Sequence, residues 1–246
     1  ILLPEYCGGL KSKEGRFIPP HSREEEHPVL LALQDFAEQN KVWISVGSVA
    51  ITGENGKYFN RSILIDSIGH IKCRYDKIHL FDINLADNIN SFQESATVQC
   101  GQQVSLAETP FGVFGLSVCY DLRFAHIYRE MAQNGAEILL VPSAFTKTTG
   151  RAHWHVLNRA RAIENGAFVI APCASGPIEG GGESYGHSLV VDPWGEIIAD
   201  GGVGSGVITC QIDLQKVQKT RSQIPSLKHD RDYELSIVDA SGAFHD

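Results

Sequence analysis

The stretch "GVFGLSVCYDLRFAHIYREM" (Gly112 to Met131) sets a cysteine between an apolar run and a helical pattern. With Val113 to Val118 as a buried strand and Leu122 to Gln133 as a helix, the Cys119 thiol stands at the C-terminal end of a strand. It then lies beside free N–H groups and the positive end of a helix dipole. Such a place favours thiolate over thiol and supplies backbone donors for an oxyanion. The competing role is a small buried apolar residue, which is what most free cysteines are.

A cysteine nucleophile needs a base and a partner for developing negative charge. Glu5 closes the apolar run "ILLPE", and Lys77 follows "HIKCRYD" just ahead of the apolar "IHLF". Near a thiol, these two charges could serve as base and oxyanion partner. Taken singly, a solvated strand end or a salt bridge is the commoner role for each. His153 and His155 in "AHWHV" form an H-x-H pair that could be half of a metal site. No second cluster with metal-like spacing accompanies them, so no metal centre is expected. The dinucleotide fingerprint G-x-G-x-x-G and the phosphate-cradling G-x-x-x-x-G-K are absent from the sequence.

The elements that must position these groups are short. Strand-like runs occur at Val42–Ile51, Tyr58–Asp66, His70–Leu80, Val113–Tyr120, Ala136–Phe145, Ala167–Ser175, His187–Asp192 and Gly206–Leu214, mostly bounded by Gly, Asn, Asp or Pro. Helical patterns lie in "SREEEHPVLLALQDFAEQN", "LRFAHIYREMAQNG" and "RAHWHVLNRARAIENG", two of which stop on Asn-Gly. "DPWGEII" (Asp192 to Ile198) reads as a hairpin turn. Mixed strands and helices of this kind predict an α/β domain of two packed sheets covered by helices, with a looser tail after about Pro225.

The whole is one domain over residues 1–246, with 43% hydrophobic and 20% charged residues. A formal net charge of −8 disfavours nucleic acid and anionic lipid as partners and leaves a small molecule as the better one. No apolar stretch approaches the roughly 18 residues that span a bilayer. The six cysteines lie far apart without a C-x-x-C pair and read as reduced thiols of a cytoplasmic protein.

In that order, "LLPE", "YDKIHLFD", "CYDLRF", "AHWHVLNRARAIENGAFVIAP" and "YGHSLVVDPWGE" resemble the nitrilase (carbon–nitrogen hydrolase) superfamily, in its branch of deaminated glutathione amidases and omega-amidases. Each fragment is weak alone, but their joint order is specific and covers nearly the whole chain. The resemblance implies a four-layer α-β-β-α sandwich that pairs into homodimers or higher homo-oligomers, and a strand and a helix ahead of "LLPE". It places the family's triad on Glu5, Lys77 and Cys119 and its second glutamate on Glu94. The oxyanion hole falls on Lys77 and the Tyr120 N–H, with no metal or organic cofactor.

The implied chemistry is hydrolysis of an amide in a small carboxylate-bearing substrate through a cysteine thioester. A nitrilase, an N-carbamoyl amidohydrolase and a non-catalytic scaffold of the same fold are the alternatives. Candidate substrate contacts are Arg151, His153, Trp154 and Tyr185, with Arg159 and Arg161 as further cations near the same helix. The family usually continues "CYDLRF" with Pro-Glu, where this chain has Ala125-His126, and Cys100 stands where Pro-Gly is common. The glycine-rich "GPIEGGGESYGHS" is expected as a mobile loop at the pocket rim.

Overall fold

The computed structural model describes residues 1–13, 16–84 and 92–237. In the first sheet the longest strand is Tyr58–Ile65. Val49–Thr52, Ile44–Ser45 and Ile71–Asp76 all pair with it antiparallel, and His21–Ser22 adds parallel to Val49–Thr52. The run Val42–Ile51 reads as one strand but is broken at Gly47 (φ +74°), where a Cβ would meet the Leu3 and Pro4 carbonyl oxygens at 2.2 Å. Only glycine tolerates both the backbone angle and this approach. The crossing of Leu3-Pro4 over Gly47 is what delivers Glu5 to the interior.

The second sheet runs Ser105–Thr109, Gly112–Leu116, Ile138–Leu140, Phe168–Ala171, Leu189–Val191, Ile197–Asp200 in spatial order. Its three central strands pair parallel. Parallel neighbours need a crossover, and two helices supply it: α2 (Ala125–Gln133) and α3 (Lys147–Asn165). The expected hairpin is present: Asp192 Oδ1 accepts from the Trp194 and Glu196 backbone N–H groups, both at 3.0 Å, between antiparallel strands.

Helix α1 (Pro28–Asn40) starts on a proline, whose missing N–H costs nothing in a first turn. It buries Leu30 and Ala37 against Ile44, Val49, Ile63 and Ile65 of the first sheet. Leu64 and Tyr75 of the first sheet share a core with Leu116, Leu139 and Val169 of the second and with Tyr128, Met131, Trp154 and Ala162 of α2 and α3. The expected Asn-Gly stop of α3 is a left-handed cap at Gly166 (φ 51°).

Four expectations are corrected. The helix placed from Leu122 begins at Ala125, after a 3-10 turn over Cys119–Arg123. The Asp121 carboxylate accepts the Val118 backbone N–H and so closes the start of this turn. Gly206–Leu214 forms no strand: Val207 is 91% exposed, and only Ile212 and Leu214 reach the core. The glycine-rich segment is a two-stranded ladder, Ser175–Pro177 with Glu183–Tyr185, tied to the Lys11–Ser12 region through Glu179. The tail is docked as far as Asp230, which Arg129 and Gln133 of α2 hold. Among the described residues no helix is long and apolar enough to cross a membrane.

Candidate active site

Glu5, Lys77, Glu94 and Cys119 are distant in sequence, and the fold brings them together in the interior. All four are buried, and Lys77 is 2% exposed. Lys77 Nζ donates to Glu5 Oε1 at 3.0 Å and to both oxygens of Glu94 at 3.1 and 2.9 Å. Burial pushes the ammonium down, but Glu5, Glu94 and Cys119 outweigh it and hold Lys77 well above the usual lysine range. Its charge is thus favoured by the two carboxylates it lies between, an arrangement that survives burial only when each lone pair is used.

Those lone pairs are used. Glu5 Oε1 also accepts from Asn60 Nδ2 at 2.8 Å, and Oε2 accepts from the Ala144 backbone N–H at 2.8 Å. Glu94 accepts from the Phe81 backbone N–H, Tyr6 Oη and Asn60 Nδ2. Asn60 therefore touches both carboxylates, a role that sequence reasoning missed. The signal is a lone amide in the middle of the otherwise strand-like "YFNRSILI".

Cys119 sits at the first residue of the 3-10 turn with φ 49°, a left-handed angle that non-glycine residues rarely take. The Cys119 N–H donates to Pro142 O at 3.0 Å. No acceptor among the described residues takes the Tyr120 N–H. A strand end beside a helix start was expected to favour the thiolate, and the surroundings act the other way. Burial first, and then the charge of the Glu5 carboxylate, push the thiol well above its ordinary range, with Lys77 pulling it down. The longer helix whose dipole was to favour the anion starts six residues later, at Ala125.

Asp121 fixes this turn and was also missed. It is fully buried, and four donors converge on it: Val118 N (2.9 Å) and Tyr75 Oη (2.8 Å) on Oδ2, His79 N (3.0 Å) and His79 Nδ1 (2.8 Å) on Oδ1. Asp121→Asn turns an NH2 group toward donors that need acceptors. We expect a loss of about 3 kcal/mol in stability, seen as a lower urea midpoint at unchanged slope, together with loss of activity. An unaltered midpoint would refute the role given to Asp121.

A narrow cleft opens onto this centre, lined by Glu5, Lys77 and Cys119 with Phe17, Phe81, Tyr120, Phe145 and Thr149 among its walls. None of the four expected substrate contacts lines it. Trp154 is fully buried and spends its indole N–H on His187 O at 2.8 Å. Tyr185 lies against Gly150, where a Cβ would come within 2.3 Å of its ring. Arg151 is exposed, and His153 faces Arg123, with Nδ1 3.3 Å from both terminal guanidinium nitrogens. Besides Lys77, a second cation lies near the cleft: the Arg123 guanidinium is 5.7 Å from the Tyr120 ring centre and 5.4 Å from that of Phe145. The sequence also holds a G-x-S-x-G at Gly182–Gly186, but its Ser184 is buried in a ladder strand and not at a strand-to-helix turn, so it forms no nucleophile elbow.

Residues 1–222 match the carbon-nitrogen hydrolase family. The deaminated glutathione amidase of Synechocystis sp. is 43% identical over 201 residues, 80% of this chain and 74% of its own. The human omega-amidase NIT2 is 34% identical over 216 residues, 88% of this chain and 78% of its own. Among solved structures, Saccharomyces cerevisiae Nit3, a member of branch 10 of the nitrilase superfamily, superposes with a TM-score of 0.79 at 28% identity, covering 93% of this chain and 81% of its own. The chain belongs to the carbon–nitrogen hydrolase family. It is an amidase-type hydrolase acting on carbon–nitrogen bonds other than peptide bonds.

Proposed function

We propose that the chain cleaves the amide of a small carboxylate-bearing substrate through a thioester on Cys119. The observation that carries this reading is the buried Lys77 ammonium held between Glu5 and Glu94 in the cleft that also presents the Cys119 thiol. Glu5, its oxygens oriented by Lys77, Asn60 and Ala144 N, takes the thiol proton as sulfur attacks the amide carbon. The carbonyl oxygen becomes an anion facing the Lys77 ammonium and the uncommitted Tyr120 N–H. Collapse breaks the carbon–nitrogen bond, and Glu5 returns the proton to the departing ammonia or amine. A water deprotonated by Glu5 then attacks the thioester, releasing the acid and restoring the thiol. Glu94 contributes by fixing Lys77.

A thiol that rests protonated suits this sequence, because proton removal is coupled to attack and Glu5 begins as the acceptor. The substrate class is set by Arg123: a carboxylate on the acyl half, as in deaminated glutathione or the omega-amide of 2-oxoglutarate, would find a cation beside Tyr120 and Phe145. Arg123→Met is expected to raise KM for such amides by about tenfold to a hundredfold, the worth of a charge-assisted hydrogen bond, while a neutral aliphatic amide keeps its KM. Equal losses on both substrates would remove Arg123 from the binding role.

The decisive experiment offers the protein a panel of omega-amides and deaminated glutathione and measures released ammonia or amine together with the acid product. Turnover of carboxylate-bearing amides is expected; no turnover of any amide would overturn the reading. A cytoplasmic homo-oligomer remains part of this proposal, supported by six free cysteines and by the family resemblance. Sedimentation analysis showing only monomer would remove the oligomer from it.

A further inference from the structure

Outside the cleft, His155, His187 and Asp200 come from three separate elements and converge. His155 lies on α3, His187 follows the Glu183–Tyr185 strand, and Asp200 ends the strand Ile197–Asp200. One donor atom from each lies within 4.8 Å of the others. His155 Nε2 and His187 Nδ1 lie 3.2 and 3.1 Å from the same oxygen, Asp200 Oδ2. A tetrahedral ion with bonds of about 2.0–2.1 Å sets its donors roughly 3.3 Å apart, so these spacings are those of a half-closed coordination shell. We propose that His155, His187 and Asp200 form a binding site for a first-row divalent cation, with zinc as the reference ion.

The site is held in place before any ion arrives. His187 has φ 56°, its N–H donates to Gly202 O at 2.6 Å, and its carbonyl accepts the Trp154 indole N–H at 2.8 Å. Trp154 is the immediate neighbour of His155 on α3, so one turn of helix both anchors the His187 backbone and supplies the second imidazole. The left-handed angle at His187 is a non-glycine outlier, and its backbone is pinned on both sides. Asp200 Oδ1 also accepts the Gly202 N–H at 2.8 Å, which orients the carboxylate from behind. The His187 ring stacks on Tyr185 at 4.6 Å.

Two imidazoles and one carboxylate suit zinc and its first-row neighbours better than calcium or magnesium, which take oxygen donors. The three side chains are 29%, 24% and 33% exposed, which leaves a path for the ion and a fourth position for water. The H-x-H pair in the sequence therefore contributes only its second histidine, since His153 faces Arg123. The other two ligands lie far along the chain, which is why spacing gave no metal signature. The site backs the cleft wall: the Tyr185 N–H donates to Phe145 O at 2.8 Å, and Ser184 bridges to Thr146. A bound ion would clamp α3 to the ladder that supports Phe145 and Thr146.

The test uses the full chain with Cys100, Cys119 and Cys210 replaced by serine, so that thiols do not compete for zinc, stripped with chelator and titrated with zinc chloride in a calorimeter. One equivalent is expected to bind with a dissociation constant in the micromolar range or tighter and to raise Tm, because the ion binds only the folded chain. His155→Gln and Asp200→Asn, each checked for native circular dichroism, should weaken binding at least tenfold, while His153→Gln should not change it. Absence of saturable binding in the parent chain, or unaltered affinity in the His155→Gln and Asp200→Asn variants, overturns the proposal. The readout is binding alone, so its failure is distinct from failure to hydrolyse an amide.

Discussion

Cys119→Ala is expected to lower kcat for amide hydrolysis by on the order of 10⁴-fold or more while the protein remains folded, because the proposed thioester forms on its sulfur. The side chain is small, and alanine fills most of its buried space, so circular dichroism and Tm should stay near those of the parent. Cys119→Ser should be nearly as inactive. The thiol is already held protonated by burial and by Glu5, and an alcohol in that position is a far weaker acid still. Glu5 would then face a proton that it cannot remove at a useful rate. A thioester trapped on another cysteine, or a Cys119→Ala variant that retains turnover, would place the nucleophile elsewhere.

Lys77→Met is expected to lower kcat by on the order of a hundredfold or more, as for removal of one oxyanion donor. A second effect follows from the geometry. Nζ is the shared cation of two buried carboxylates, and its removal leaves Glu5 and Glu94 facing each other across Asn60 without a counter-charge. Breaking such a buried pair costs about 3–5 kcal/mol, so the Met variant should also unfold at lower urea. Stability loss alone does not distinguish a salt bridge from an oxyanion partner, and Lys77→Arg does. Arginine keeps the charge, but its planar guanidinium cannot occupy the compact position that meets Glu5 and both oxygens of Glu94. We expect Arg to restore part of the stability and little of kcat. A Lys77→Arg variant with near-normal kcat would show that charge without placement suffices, and the oxyanion role would fall.

What was legible in the chain, and what was not, divides along the range of the forces involved. The hairpin at Asp192, the Asn165-Gly166 helix stop and most of the short β-branched strands follow from local rules of backbone angle and side-chain period, and the structure has them. Cys119 at a strand end and the suspicious charges at Glu5 and Lys77 were likewise visible, because charge beside an apolar run is anomalous wherever it occurs. Their roles came from the order of motifs, a resemblance and not a calculation from spacing.

Gly206–Leu214 shows the limit of local reading. Its composition is that of a strand, yet a strand exists only where another offers hydrogen bonds, and among the described strands none pairs with it. The same limit explains Arg151 and Arg123. Both are arginines near the right elements, and only the packing of the Cys119 turn against Phe145 sets Arg123 beside the cleft and leaves Arg151 in solvent.

By itself, then, the sequence determined the periods, turns and stops of the elements and marked the chemically unusual residues, because these depend on neighbours a few positions away. The protonation of Cys119, the convergence of Asn60 on two carboxylates and the meeting of His155 with His187 and Asp200 were decided only by tertiary structure. Desolvation and Coulomb interactions act through space, between groups far apart in the chain, as for the Glu5 carboxylate and the Ala144 backbone N–H, 139 residues apart.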